Sequence, residues 1–271
     1  MASIQIRSCQ HVLVEHNDVS CGDDNVAIKA GVCGFSSPHD CQSFLHKHIN
    51  PDKEDESVIL ETSNVTIRNN IFRTGMGIAI GSECSGGISN VRIQNNIVGL
   101  CQAGYNAQHG CGWGPALHIK TLHTRGGHIR NVLFENNTIY NNTHMILLES
   151  SYQSLQQQKN ATASLPSTSE ASQYYRQSFD LDDRNPTLIQ NVSFVGNIVH
   201  GKANGIRLAC SPDSPCQNII FWKNDFPHAP PKRINCKYVA SYKVIKDDND
   251  NIMDRFLDHC LSEAKPEAKI D

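Results

Sequence analysis

The stretch Asn64-Val65-Thr66-Ile67-Arg68-Asn69-Asn70 contains the pattern that decides the fold. Val65 and Ile67 are separated by one residue, which is the spacing of side chains on one face of a β-strand. Asn70 follows Val65 by five positions, and Phe72 brings back an apolar residue two positions later. This stretch therefore predicts a short strand, a turn and the start of another strand.

The pattern occurs six times along the chain, with Asn at the same offset in every copy. The copies begin at the apolar positions Val12, Val65, Val91, Val132, Val192 and Ile219. Asn tolerates the left-handed backbone region and can hydrogen-bond its own main chain. We therefore expect each of these asparagines to form a recurring turn between two strands.

A second alternating strand follows most copies, as in Val26-Ala27-Ile28 and Ile78-Ala79-Ile80. Strands this short cannot bury a face alone, whereas successive coils stacked on one another can. The sequence therefore predicts an all-β fold, a parallel β-helix, with the six first strands in one interior column. An ordinary β-sandwich is the alternative, but sandwiches do not repeat Asn at a fixed offset.

The spacing of the coils predicts one β-helix over residues 1–240 and a C-terminal cap over 241–271. Within the cap, Asn251 to Glu263 has helical spacing. The coils are of unequal length, and the excess residues fall in three predicted loops, 31–57, 101–115 and 150–186.

The overall charge excludes some classes of partner. The 271 residues include 24 Lys and Arg against 27 Asp and Glu, a formal charge of -3. A balance of this kind produces no strong field toward nucleic acid or a membrane surface. No apolar run reaches the roughly 18 residues of a transmembrane helix. We expect a monomer that binds neither nucleic acid nor membrane.

The cysteines and glycosylation sequons favour an extracellular, secreted protein. There are 11 cysteines but no pair spaced as in a structural zinc site. Five Asn-x-Ser/Thr sequons begin at Asn64, Asn136, Asn141, Asn160 and Asn191. The first residues lack the features of a signal peptide, so we expect the N-terminus to be incomplete. Cys210 with Cys216, and Cys236 with Cys260, are candidate disulfides.

Charged residues recur at equivalent positions of the second strands. Counting from the first apolar residue of each strand puts Asp24 in one column with Met76, and Lys29 in one column with Lys120. Asp23 and His118 lie beside these columns. Paired carboxylates near cations fit acid/base chemistry on an anionic substrate, and like charges this close push one pKa upward. A solvated Gly-Asp-Asp turn is the alternative.

Three segments together resemble a known family. Residues 20–31, with Gly22-Asp23-Asp24, resemble the Gly-Asp-Asp motif of the polygalacturonases, glycoside hydrolase family 28. Residues 75–87 resemble the Gly-His-Gly segment of that family, and residues 118–132 its Arg-Ile-Lys segment. The resemblance implies a single-stranded, right-handed parallel β-helix that hydrolyses galacturonosyl linkages of pectin with inversion, without a metal or another cofactor.

The resemblance also implies roles for individual residues. Asp23 becomes the general acid, Asp24 a carboxylate that activates water, and Lys120 a ligand for the substrate carboxylate. The other implied substrate-binding positions are His118, Lys29, Met76 (the position of the family His), Gly75 and Gly77. We expect Lys29, His118, Lys120 and Arg125 to form a locally basic strip that binds the acidic polysaccharide.

Three positions depart from the family pattern. The third carboxylate of the family falls at Ala2, the family His is Met76, and the family Arg is His118. Met cannot transfer a proton, and His lacks the planar fork of Arg. We therefore expect hydrolysis by this chain to be impaired.

Two further functions remain open from the sequence. One is a polysaccharide lyase or uronate epimerase on a similar β-helix, of which Ser37-Pro38-His39-Asp40 is faintly suggestive. A lyase would require a calcium cluster, for which Asp23 and Asp24 alone are too few. The other is a non-catalytic, polysaccharide-binding or structural β-helix.

Overall fold

The computed structural model describes residues 2–31, 61–100, 114–121, 126–140, 142–150, 186–200, 204–226 and 235–245. These residues form β-strands and no helix, so the described part contains no helix that could cross a membrane. The strands lie in three sheets, A, B and C, and every pairing between named strands is parallel. A coil contributes one strand to each sheet in turn, which is the architecture of a parallel β-helix.

Sheet A contains β1 (Ile4–Arg7), β4 (Asp24–Ala30), β7 (Met76–Cys84), β10 (Pro115–Thr121), β13 (His144–Glu149), β16 (Asn204–Ala209) and β18 (Asn235–Lys237), in that spatial order. Sheet B contains β2 (Gln10–Glu15), β5 (Thr62–Arg68), β8 (Ile88–Gln94), β11 (His128–Glu135), β14 (Leu188–Val195), β17 (Gln217–Trp222) and β19 (Tyr242–Ile245). Sheet C contains the short strands β3 (Asp18–Val19), β6 (Ile71–Phe72), β9 (Ile97–Val98), β12 (Thr138–Tyr140) and β15 (Ile198–His200).

The predicted interior column is confirmed by the register of sheet B. Each member faces the next across adjacent strands, in the order Val12, Val65, Val91, Val132, Val192 and Ile219. Two positions further along, Phe134, Phe194 and Phe221 stack with ring centroids 4.9 and 5.0 Å apart. Similar side chains at equivalent positions of successive coils thus fill the core as columns that run along the solenoid.

The repeated asparagines form a ladder inside the turns between sheets B and C. Its members, hereafter the buried ladder, are Asn17, Asn70, Asn96, Asn137, Asn197 and Asn224. Asn137 is typical: its Nδ2 donates to Asn197 Oδ1 at 2.9 Å and to the Ile93 carbonyl at 2.9 Å. Its Oδ1 accepts from Nδ2 of Asn96 at 3.0 Å. Side-chain amides therefore satisfy the polar groups of each turn from coil to coil.

These asparagines lie in turns as expected, and Asn17 and Asn70 donate to the carbonyl two residues earlier, but the expected left-handed backbone at the asparagine itself is wrong. The left-handed conformation belongs to the preceding residue of each turn, for example Asn69 (φ 56°), Asn95 (φ 55°) and Asn136 (φ 52°). The ladder asparagines are selected instead for an amide that both donates and accepts.

The solenoid extends slightly beyond the predicted boundary at residue 240, because Tyr242–Ile245 pairs in parallel with β17. Cys210 is joined to Cys216 by a disulfide, with Cα atoms 5.8 Å apart. Cys236 is also disulfide-bonded. Its predicted partner Cys260, the predicted C-terminal helix and most of the three predicted loops lie outside the described residues.

Candidate functional site

The Gly-Asp-Asp turn lies immediately before the core residues of β4. The amide of Asp24 donates to Asp23 Oδ1 at 2.8 Å, which holds the first carboxylate against the turn. Burial by itself raises the pKa of Asp23, but the hydrogen bond from the Asp24 amide, the amino-terminal ammonium and, last, the ammonium of Lys120 lower it overall. The expectation that one carboxyl of the Asp23–Asp24 pair has a raised pKa is not met at Asp23.

An ion pair joins the Gly-Asp-Asp segment to the strand two coils away. Lys120 Nζ lies 2.7 Å from Asp24 Oδ2, although β7 stands between their strands in the sheet. Both residues are buried, with Asp24 5% and Lys120 7% exposed. The second carboxylate oxygen, Asp24 Oδ1, is buried and receives no hydrogen bond from the described residues. Asp24 is thus anchored through one oxygen only.

His118 alternates with the core residues Leu117 and Ile119, so its side chain points away from the core. Its Nε2 lies 3.2 Å from Glu149 Oε1 on the next strand. Burial lowers the pKa of His118, with Lys120 acting in the same direction against the raising effect of Glu149. Position 118 therefore carries an imidazole whose burial disfavours the charged form, rather than a permanent cation like Arg.

Glu149 also belongs to this group of charged residues, and the sequence interpretation missed it. It faces Lys120 directly in the register of β10 and β13. Burial raises its pKa, but the hydrogen bond and the charge interaction with His118, followed by the charges of Arg207 and Lys120, lower it overall. The counting rule that aligned Lys29 with Lys120 would also have found Glu149, because it too follows its strand's first apolar residue by three positions. We refer to Asp23, Asp24, His118, Lys120 and Glu149 as the site cluster.

Lys29 belongs to a second ion pair at the other end of β4. Its Nζ lies 2.9 Å from Glu83 Oε2, and Arg7 approaches the same carboxylate at 3.9 Å. Lys120 is likewise paired, and His118 lies beside Glu149 with its pKa lowered by burial. The expected basic strip is therefore wrong for these three residues, whose positive charges are balanced or disfavoured. Arg125 lies outside the described residues.

The register confirms that Met76 lies in the same column as Asp24. Its side chain packs over Gly114, because a Cβ at that glycine would collide with Met76 Cγ. A Cβ at Gly75 would lie 2.6 Å from the Asp23 carbonyl oxygen, and one at Gly77 would overlap the Ala116 backbone. Gly75 and Gly77 are therefore buried where coils meet, and their lack of a side chain permits that approach.

Position 2 lies beside the site, as the alignment predicted. The amide of Ser3 donates to the Asp24 carbonyl at 3.1 Å, and β1 continues alongside β4 from Ile4 opposite Val26. The register places Ala2 next to Asp24, where the family has its third carboxylate. The described residues contain no group of three or more His, Cys, Asp and Glu arranged to hold a metal ion.

Comparison with known proteins gives consistent matches. The family model "Glycosyl hydrolases family 28" matches residues 2–169. An endo-polygalacturonase of Pectobacterium carotovorum subsp. carotovorum is 28% identical over 146 residues, which cover 54% of this chain and 27% of that protein. A polygalacturonase of Ralstonia nicotianae is 29% identical over 124 residues, 46% of this chain and 17% of that protein. The chain thus spans well under half of the curated relatives that it matches.

Two solved structures show the same fold. The exopolygalacturonase of Thermotoga maritima has a TM-score of 0.53 at 18% identity, covering 89% of this chain and 42% of that one. The polygalacturonase of Erwinia carotovora ssp. carotovora has a TM-score of 0.54 at 17% identity, covering 90% and 46%. These similarities identify the fold as a right-handed parallel β-helix. Because the family model covers more than half of its residues, this chain belongs to glycosyl hydrolases family 28.

Proposed function

We propose that this chain binds pectin and hydrolyses its galacturonosyl linkages by the inverting route, at a low rate. The observation that carries the proposal is the 2.7 Å ion pair between Lys120 and Asp24. It joins the two charged motifs of the family into one cluster across three coils, with Asp23 beside it. The matched relatives, which are named as polygalacturonases, supply the substrate class.

Asp23 acts as the general acid on the leaving oxygen. It is only partly buried, so a substrate can reach it, whereas Asp24 is held inside the cluster. A general acid must be protonated when the substrate binds. Because the pKa of Asp23 is lowered, only a small fraction carries the proton near neutral pH. Hydrolysis is therefore slow at neutral pH and rises as the solution becomes acidic.

Asp24 helps to activate the water. Lys120 Nζ contacts Oδ2 at 2.7 Å, while Oδ1 receives no hydrogen bond from the described residues. An ionised oxygen with an open lone pair can accept a proton from the attacking water. Inverting enzymes usually separate acid and base carboxyls by roughly 6.5–9.5 Å. A carboxylate at position 2, beside Asp24, would complete the base, and Ala2 does not provide it.

A non-catalytic polysaccharide-binding β-helix is the second candidate function. The observation that favours it is that three positions differ from the family pattern. Ala2 has no carboxylate, Met76 cannot carry a proton, and His118 is not a permanent cation. A protein of this kind would retain polygalacturonate binding without releasing product.

One series of variants tests the proposal by reducing-end release from polygalacturonate. Ala2→Asp should raise the rate more than Met76→His, and the double variant should be fastest. Asp23→Asn in that double background should reduce the rate by about 10²–10⁴-fold, the usual value of a general acid. Asp225→Asn, at an exposed carboxylate that bridges to β15 of sheet C, is the matched control and should change nothing.

Two results would refute the proposal. One is product that absorbs as an unsaturated uronide, which indicates a lyase. The other is bound polymer with no reducing ends from any variant, which indicates the non-catalytic function.

Secretion and N-glycosylation complete the proposal. Asn136 is exposed and lies in a turn, so its sequon is accessible. Asn191 is less suitable because its Nδ2 already donates to Asn131 Oδ1 at 3.1 Å. Asn64 is exposed but lines a groove described below, and Asn141 and Asn160 lie outside the described residues.

A further inference from the structure

A groove of about 580 Å³ runs across sheet B on the side away from the core. Its lining comes from the four adjacent strands β5, β8, β11 and β14. Neighbouring strands are about 4.8 Å apart, so the groove extends for about 14 Å along the solenoid axis. This shape suits an extended chain rather than a compact small molecule.

A second asparagine ladder forms one wall of the groove. Asn131 Nδ2 donates to Asn90 Oδ1 at 3.1 Å, and Asn191 Nδ2 donates to Asn131 Oδ1 at 3.1 Å. Asn218 extends the series with a 2.9 Å bond to Asn191. Unlike the buried ladder, these asparagines are exposed. An amide has two N–H donors, and each of these bonds uses one, so the second can bind a hydroxyl or carboxylate.

Arg92 supplies a positive charge inside this groove. It lies between Thr66 and Leu133 in the register, and its side chain is exposed. Among the described residues no carboxylate forms an ion pair with Arg92, or with the exposed Arg130 next to Asn131. Lys29 and Lys120 of sheet A are both paired with carboxylates. The groove on sheet B is therefore the better attractor for an anion.

We propose that this groove is a second binding site for an extended anionic polysaccharide, separate from the site cluster on sheet A. Arg92 binds a carboxylate of the chain with a charge-assisted hydrogen bond, and the exposed asparagines bind its hydroxyls. The choice of polygalacturonate as the polysaccharide rests on the proposed function. The site itself rests on the groove, its amide ladder and its arginine.

The proposal excludes glycans from two of the sequons. Asn64 and Asn191 both line the groove, and a glycan on either would fill it. A glycan detected by mass spectrometry on Asn64 or Asn191 of protein secreted from a eukaryotic host would therefore overturn the proposal. A glycan on Asn136 alone is the expected result.

The direct test is retardation of the bacterially produced chain in native gels that contain polygalacturonate. Arg92→Ala should weaken binding by about three- to fivefold, the size of an exposed charge contact. Arg68→Ala is the matched control, because this exposed arginine of the same sheet is paired with Glu15 outside the groove. Equal retardation of the two variants would overturn the proposal, since it would reflect net charge alone. Equal retardation of the unaltered chain by a neutral glucan would overturn it too.

The readouts keep this proposal distinct from the catalytic one. Binding that depends on Arg92 without any release of reducing ends contradicts hydrolysis and supports the groove. Hydrolysis that depends on Asp23, together with binding that does not depend on Arg92, supports the catalytic proposal and contradicts the groove.

Discussion

The buried asparagine ladder and the site cluster are built on the same coils, but they differ in how residues repeat. Along the ladder every coil supplies the same amide, because every turn leaves the same backbone groups to be satisfied. In the column that contains Lys120, the neighbouring coils supply Gly81 and Glu149 instead. A column that only supports the fold repeats the same side chain in every coil, whereas a column that takes part in chemistry needs unlike side chains next to one another. Irregularity within a regular solenoid therefore marks the site.

The largest expected effect comes from breaking the ion pair at the centre of the site cluster. Lys120→Met leaves Asp24 as a buried carboxylate without its cation, which should lower the free energy of unfolding by about 3–5 kcal/mol. Lys29→Met is the matched control, because the pair of Lys29 with Glu83 is more exposed and should contribute about 1 kcal/mol or less. Urea unfolding measures both, and equal losses would show that Asp24 is not held as described.

The next effect concerns the interior of the ladder. Asn137→Ala removes the partner of Asn96 and Asn197 and leaves buried polar groups unsatisfied. We expect a loss of about 2–4 kcal/mol in the free energy of unfolding. Asn17→Ala, at the exposed end of the same ladder, should cost about 1 kcal/mol, since water replaces the amide there. A similar cost at both positions would mean that the ladder does not act through burial.

The smallest effect is a dependence of stability on pH. The pKa of His118 is lowered in the folded protein, so the unfolded chain takes up a proton first as the pH falls through the ordinary value of 6.5. Stability should therefore decrease on acidification, and the lowered pKa of Glu149 extends the decrease below 4.5. The groups facing His118 are Glu149, Lys120 and Asp24.

His118→Gln should remove the upper part of this decrease. Urea midpoints at about pH 8 and about pH 5.5 should then differ less in the variant than in the unaltered chain. An unchanged difference would show that another group titrates in this range.

Much of the fold followed from local patterns. The period-two strands, the fixed offset of Asn and the apolar columns predict stacked parallel coils, because a strand exposes side chains in strict alternation and each coil must bury its apolar face on the next. The motifs around Asp23, Asp24 and Lys120 also predicted which coils bring these charged residues together. The reason for the repeated Asn was not predictable, since the ladder bonds link residues 26–60 positions apart.

By itself, then, the sequence of this protein determined the repeated strands, the interior column of sheet B and the family, all of which depend on the order of residues within a coil. Only the tertiary structure decided which charged residues of the candidate site are paired. Lys120 reaches across one coil to Asp24, His118 is buried against Glu149, and Lys29 turns to Glu83. Side-chain reach and burial set these pairings, and neither can be counted along a chain. For that reason the cations expected to bind substrate are paired, and Arg92 on sheet B has no ion-pair partner among the described residues.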